Sequence, residues 1–322
     1  MSAMIPNETQ QPNLDLYGCT RKGRDRSAHS DEFLVAELKR AVRVHHASRS
    51  ELDDSRKFGD NLAHVLLVAD ATDSPKGENN VGRLVMDEVM EDLLHALPWT
   101  PELDVDAEAH LRQELKETMR RCNRQVQEAA RRVPARSDMA ATMTMAFVRW
   151  PLAFLLHAGN CRAYLIRDQE IRQLTHDHTL AQQMVDQGDL DADEAETSRF
   201  ASILWNAMGG DSKVRADLTV HRMQGGDSLL LCTQPLTTHL SDEHIRCIVQ
   251  AHETAEGAAE ELTRTVAGIG AKDDVTIALM RCGEHEASRV SSNDGEPMPS
   301  LSAGAAQEIP EPFASLSLPR DS

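Results

Sequence analysis

The sequence predicts an α+β domain in which short antiparallel strands carry helices inserted in pairs. Three observations carry this reading. Apolar runs of strand length follow one another directly, and the amphipathic segments come two at a time. Strictly alternating βαβ units are absent. A strand-linked Gly-x-Gly-x-x-Gly is absent too, since the GIG at Gly268–Gly270 precedes a strand, which argues against a dinucleotide site.

Taken in order, DEFLVAEL from Asp31 and AHVLLVAD ending at Asp70 are predicted strands. Two long helices are expected from Glu78 to Leu97 and from Asp106 to Val133. In the first, Val81, Leu84, Val85, Val89, Leu93 and Leu94 recur at helical spacing. TMTMAFVRW, LAFLLHAG, RAYLIRD and EIRQLT then read as four short strands in meander order. A mixed helical stretch is expected from Thr179 to Ala207, followed by the strands VRADLTVHR and SLLLCT. The four apolar residues Leu229–Cys232 fit a strand covered on both faces. Thr233-Gln234-Pro235 reads as a loop after it. Ser241, followed by Asp242 and Glu243, reads as the N-cap of a helix to Ala251. A helix over Ala255–Ala267 and a last strand, DVTIALMRC, complete the pattern.

Residues 15–282 are expected to form one domain. Residues 1–14 are polar, and 283–322 are rich in Ser, Pro, Glu and Ala without apolar periodicity, so both read as disordered flanks. The net charge of −18 argues against nucleic acid or an anionic membrane as partner, because both need clustered Lys and Arg. No basic-then-apolar leader opens the sequence, and no apolar run approaches the ~18 residues that would span a bilayer. The six cysteines are scattered without a Cys-x-x-Cys pair, so free thiols in a reducing, cytoplasmic setting are expected. The pairs His45-His46 and His176-Asp177-His178 lack metal-ligand spacing and read as surface or loop histidines.

Aspartates recur at strand ends: Asp31 opens a strand, Asp70 closes one, and Asp273-Asp274 open the last. Carboxylates meeting at one end of a sandwich would make a site for a hard cation such as Mg²⁺ or Mn²⁺. Five stretches in order, RSAHSDEFLV, VADATDS, HAGNCRAYLIRDQEIRQLTHDHT, GGDSLLLCTQPLTTHLSDEHI and GAKDDVTIALM, resemble the PPM (type 2C) metal-dependent protein Ser/Thr phosphatases, bacterial branch. The resemblance spans Arg21 to Cys282. It implies a sandwich of two antiparallel sheets flanked by helical pairs, with two metal ions at one end. In that family a metal-bridging water attacks the phosphorus of phosphoserine or phosphothreonine while an arginine holds the phosphate.

Carried over residue by residue, the resemblance assigns the phosphate-binding arginine to Arg26. The family's Asn-Glu-Asp becomes His29-Ser30-Asp31, which keeps the aspartate and replaces the metal-facing glutamate by Ser30. The bridging aspartate matches Asp70, and the glycine that offers a carbonyl is Ala71, a change that requires negative φ. Gly-Asp-Ser-Arg appears as Gly159-Asn160-Cys161-Arg162, so Asn160 stands for an acid. Ser-Asp-Gly appears as Thr233-Gln234-Pro235, so Gln234 stands for another. The last family aspartate matches Asp273, with Asp274 in place of an asparagine.

Arg26, Asp31, Asp70 and Asp273 are thus retained, while Ser30, Asn160 and Gln234 are neutral where the family has acids. At about 4 Å and an effective dielectric of 20, each lost ion–carboxylate contact forfeits several kcal/mol of gross attraction. Three losses leave at most one weak site for Mn²⁺ or Mg²⁺. The expectation is a phosphatase-like domain of weak or absent activity that binds a phosphoprotein or a Ser/Thr kinase. The alternative is an active Mn²⁺- or Mg²⁺-dependent phosphatase with a rearranged ligand set, in which Asp73 could take part.

Overall fold

The computed structural model of the chain describes residues 12–26, 30–43, 56–71, 81–95, 104–132, 139–209 and 213–283. Within these, eleven strands and seven helices follow one another as β1 Leu14–Arg21, β2 Glu32–Arg43, β3 Arg56–Ala71, α1 Val81–His95, α2 Val105–Arg132, β4 Ala140–Arg149, β5 Leu152–Ala158, β6 Arg162–Arg167 and β7 Glu170–Gln173. Then come α3 Leu180–Gln187, α4 Ala192–Thr197, β8 Met208–Gly209, β9 Asp217–Arg222, β10 Ser228–Cys232, α5 Gln234–His239, α6 Asp242–Ala251, α7 Ala255–Ile269 and β11 Val275–Cys282. The strands form two antiparallel sheets, one ordered β1-β11-β10-β6-β7 and the other β2-β3-β4-β5-β9, with β8 paired to β4. The expected α+β sandwich is therefore the observed one. The expected disordered segments 1–14 and 283–322 lie almost wholly outside the described residues, as do His45-His46 and the Thr72-Asp73-Ser74 loop.

Strand periodicity explains why the strands read as continuous apolar runs. On β3, Leu66 and Val68 face the interior between the sheets, whereas Val65, Leu67 and Ala69 face the helices. On β10, Leu229 and Leu231 point inward while Leu230 and Cys232 point to the α5–α7 side. Both faces of each central strand are covered, so no polar alternation survives in the sequence. Helices α1 and α2 close the outer face of the β2–β9 sheet through Val85, Val89, Leu111, Leu115 and Met119. Helices α6 and α7 close the other through Ile245, Val249, Leu262 and Val266.

Three local expectations are corrected. The four strands from β4 to β7 do not run as one meander: β5 pairs with β4 and β9, whereas β6 pairs with β7 and β10. The chain changes sheets at Gly159–Cys161, where Gly159 has φ +114° and a Cβ would stand 2.2 Å from the Cβ of Thr142. Only glycine fits that crossing. Residues 234–239 are a short helix, α5, not a loop, with Pro235 in its first turn, where a missing N–H costs nothing. Strand β1, unread in the sequence because its apolar residues are interrupted by Asp15 and Gly18, pairs with β11 from Leu14↔Cys282 to Arg21↔Val275. The expected cap is present: the Ser241 hydroxyl accepts the His244 N–H.

Candidate functional site

Register places two of the sequence-predicted acids face to face. In the β2–β3 ladder Phe33 pairs with Val68 and Glu32 with Ala69, so one step further Asp31 stands opposite Asp70. Asp70 shares the inward face of Leu66 and Val68, which brings both carboxyls into the end of the sandwich. Asp31 is only 4% exposed. The Thr276 hydroxyl donates to its Oδ2 at 2.9 Å, and the Thr20 hydroxyl lies 2.7 Å behind Thr276. Two carboxylates this close disfavour each other's charge. Burial, then the neighbouring charge of Asp70, pushes Asp31 well above the usual carboxylate range. Burial likewise pushes Asp70 up to about 6, against the opposing pull of Arg26.

The other retained residues gather around this pair. Arg26 makes an ion pair with Asp273 at 3.2 Å, Asp273 being largely exposed and Arg26 largely covered. Asp274 is buried, and its carboxylate accepts the Gly23 N–H at 2.9 Å and the Ser30 N–H at 2.7 Å. The Ser30 hydroxyl also points at Asp274, at 3.4 Å. Gly23 and Ser30 are thus both anchored on Asp274, just before β11. Ala71 continues the β3–β4 ladder opposite Ala141. Asp168 is the one described non-glycine residue with positive φ, so Ala71 meets the condition that its carbonyl requires.

Gln234, the first residue of α5, lines a polar cleft of about 300 Å³ together with Arg162, Asp177 and Asp242. Thr233, just before it, is locked to β11, its hydroxyl accepting the Thr276 N–H at 3.0 Å. Asn160 sits in the sheet-changing loop, 8% exposed, and its Oδ1 has no hydrogen-bond partner among the described residues. Burial, with the charges of Asp70 and Asp31 adding to it, pushes the thiol of the next residue, Cys161, well above the usual cysteine range.

Two contacts around that loop were not legible in the sequence. Arg162 forms a nearly buried ion pair with Asp177, its Nε and Nη2 2.8–3.1 Å from the carboxylate. His178, read as a surface or loop residue, is 1% exposed. Its Nδ1 accepts the Gly159 N–H at 3.1 Å and the Asn206 amide at 2.7 Å, so the ring proton is on Nε2 and is given to Asp217 at 3.0 Å. The Thr-His-Asp-His run therefore buttresses the 159–162 loop from beneath. Histidine spacing held the signal only in combination with Gly159.

Hard divalent ions want several carboxylate or carbonyl oxygens with charge. Asp31 and Asp70 supply one such pair, with the orphaned Asn160 oxygen in the neighbouring loop. Ser30 is turned onto Asp274 and Asp273 onto Arg26, while Asn160 and Gln234 carry no charge. Among the described residues no group of three His, Cys, Asp or Glu side chains converges as a metal site. Among the described residues, which leave out Asp73, the acids that could hold a hard cation are the Asp31–Asp70 pair.

No family model matches the chain. Among curated proteins it is 31% identical over 185 residues to the serine/threonine protein phosphatase PstP of Mycobacterium tuberculosis, covering 55% of this chain and 36% of that protein. It is 26% identical over 166 residues to the serine/threonine phosphatase stp of Listeria monocytogenes, covering 52% of this chain and 66% of that one. The match thus spans between about a third and two thirds of those relatives' length. The serine/threonine phosphatase of S. agalactiae superposes with a TM-score of 0.66 at 20% identity, over 84% of this chain and all of that one. The catalytic domain of PstP in complex with two manganese ions gives 0.61 at 24%, again over 84% of this chain and 100% of that one. Among the described residues no helix is long and apolar enough to cross a membrane. The chain has the fold of the PPM phosphatases, and its curated relatives are bacterial PPM-type serine/threonine phosphatases.

Proposed function

We propose that this PPM-type phosphatase-like domain acts by binding a phosphoprotein, with hydrolysis weak or absent. The observation that supports the reading is the loss of charge at the ligand positions. Asp31 and Asp70 meet, but Ser30 is committed to Asp274, and Asn160 and Gln234 carry no charge. One cation at the acidic pair could help orient a phosphate beside Arg26, whose guanidinium is held near by Asp273. A protein Ser/Thr kinase carrying phosphorylated residues is a partner of the same chemistry. Bridging a water between two ions needs a second set of charged oxygens, which these positions do not provide.

A second reading is favoured by the way Arg26, Asp31, Asp70 and Asp273 stay together at one end of the sandwich. It is a working Mn²⁺- or Mg²⁺-dependent phosphatase with an altered ligand set. Calorimetric titration with Mn²⁺, followed by p-nitrophenyl phosphate turnover in the same buffer, separates the two. One weak site without turnover supports the binding domain. Two sites with turnover that Asp70→Asn abolishes would establish the enzyme and end the first reading.

A further inference from the structure

The chain carries 34 Lys and Arg against 52 Asp and Glu, yet the run Arg21-Lys22-Gly23-Arg24-Asp25-Arg26 sets four cations in six residues. The fold adds a fifth. Strand β1 pairs with β11 up to Arg21↔Val275, so the loop after β1 lies against the turn before β11. The Arg24 N–H is given to the Ala271 carbonyl at 3.0 Å, and the Asp25 N–H to the Lys272 carbonyl at 3.2 Å. A Cβ at Gly23 would stand 2.2 Å from the Lys272 carbonyl oxygen, so glycine alone allows the two backbones to approach this closely. Two joined loops thus carry Arg21, Lys22, Arg24 and Lys272 as a rim beside Arg26, whose own partner, Asp273, follows Lys272 in the chain.

On the helices, exposed cations are answered by acids one turn away: Arg112 by Glu108, Arg120 by Glu117 and Arg264 by Glu261. The rim differs. Arg21, Lys22, Arg24 and Lys272 are all exposed. Asp273 is taken by Arg26, and the buried Asp274 is spent on the Gly23 and Ser30 N–H groups. Four exposed cations are therefore left with one acid of these loops, Asp25, which lies 3.2 Å from Arg24. Among the described residues Arg21, Lys22 and Lys272 form no ion pair. An acidic segment would be repelled by a chain of net charge −18 in general, but would meet an excess of positive charge here. Along an extended peptide, side chains two to four residues from a phosphate held at Arg26 lie about 7–14 Å from it, within reach of these long side chains. A nucleic acid or an anionic bilayer needs a broader run of phosphate contacts, and the interleaved Asp25 and Asp273 oppose one.

We propose that this rim binds acidic side chains flanking the phosphorylated residue of the partner protein. The proposal deepens the phosphoprotein reading by giving the partner segment its charge, and rests on that reading for the phosphate itself. The test is fluorescence anisotropy of the full chain with a labelled phosphoserine peptide bearing aspartates on either side, compared with the same peptide bearing asparagines there. Asparagine keeps the shape and removes the charge. The aspartate peptide should bind about tenfold tighter at low salt, from several exposed charge contacts worth up to about fivefold each. At about 300 mM salt the preference should fall to about twofold. Lys22→Gln, Arg24→Gln and Lys272→Gln together should erase it, whereas Lys39→Gln, toward the other end of β2, should keep it. Lys22→Glu with Lys272→Glu should turn the preference to a lysine-flanked peptide, a gain that a misfolded chain could not show. Equal affinities for the aspartate and asparagine peptides, no binding of either, an undiminished preference in the triple variant, or one lost equally in Lys39→Gln would overturn the proposal. So would tighter binding of a single-stranded oligonucleotide or of phosphatidylserine vesicles than of the aspartate peptide. Omitting the phosphate from both peptides separates the two readings. A phosphate effect lost in Arg26→Ala without an aspartate preference sinks the rim alone, and an aspartate preference without a phosphate effect sinks the phosphoprotein reading alone.

Discussion

Replacing Asp274 by Asn tests whether a buried carboxylate, rather than a ligand set, now organises this end of the sandwich. Asp274 is 2% exposed, and its two oxygens accept separate backbone N–H groups, from Gly23 at 2.9 Å and from Ser30 at 2.7 Å. An asparagine offers one acceptor and one NH₂, so either orientation turns a donor against a donor. One buried N–H then loses a charge-assisted bond and finds no substitute, a loss of about 2–3 kcal/mol. For a domain of this size each kcal/mol moves Tm by about 2–4 °C, so calorimetry should show a fall of about 4–12 °C. Ser30→Ala removes only the long hydroxyl contact at 3.4 Å and should cost about 0.5 kcal/mol, a degree or two. If Asp274→Asn melts with the parent protein, or Ser30→Ala falls as far, the carboxylate does not hold the loop and the reasoning is wrong.

Ser30→Glu would set a second carboxylate where the hydroxyl now faces Asp274. It should therefore destabilise strongly alone and less than additively with Asp274→Asn, with a coupling of about 1–2 kcal/mol in a double-mutant cycle. The raised Asp70 gives a pH dependence. A carboxyl raised from 3.8 to about 6 contributes stability that is present below the lower value and lost as pH rises through the upper one, on the order of 3 kcal/mol in all. Asp70→Asn should thus gain in Tm over the parent between pH 5 and pH 7.5, and Mn²⁺ should raise the parent's Tm at pH 7.5 more than at pH 5. A gain independent of pH would remove the acidic pair as its cause. Asp177→Asn leaves Arg162 nearly buried without its counter-charge and should cost about 3–5 kcal/mol by urea unfolding. Gly159→Ala combines positive φ with a clash on Thr142 and should lower Tm by about 5 °C or more.

The sandwich was legible because burial on both faces writes itself into a strand as an unbroken apolar run, as in Leu229–Cys232 and Val65–Val68. Strand-end aspartates were legible for a related reason, since a carboxylate closing such a run must be solvated, paired or bound. The convergence of Asp31 on Asp70 was not. It depends on the β2–β3 register, which no local pattern specifies once both faces are apolar. The sheet change at Gly159 escaped for the same reason, because β5 and β6 look like consecutive hairpin strands until pairing is known.

What the sequence concealed most was compensation. Ser30 and Asp274 read as two unrelated departures from a ligand pattern, yet they touch. A glutamate at position 30 would crowd the Asp274 charge, and an asparagine at 274 would leave an N–H of the loop unsatisfied. Asp274 therefore makes a glutamate at position 30 unfavourable, and the two backbone N–H groups it accepts hold it in place of an asparagine. Gln234 shows a second kind of coupling, since it lines a cleft that already holds the acids Asp177 and Asp242. An aspartate there would add a third carboxylate against the one cation, Arg162. The neutral replacements thus suit the hydrogen-bond needs of their present surroundings, so restoring single acids should first cost stability, and metal affinity should return only when their partners change with them.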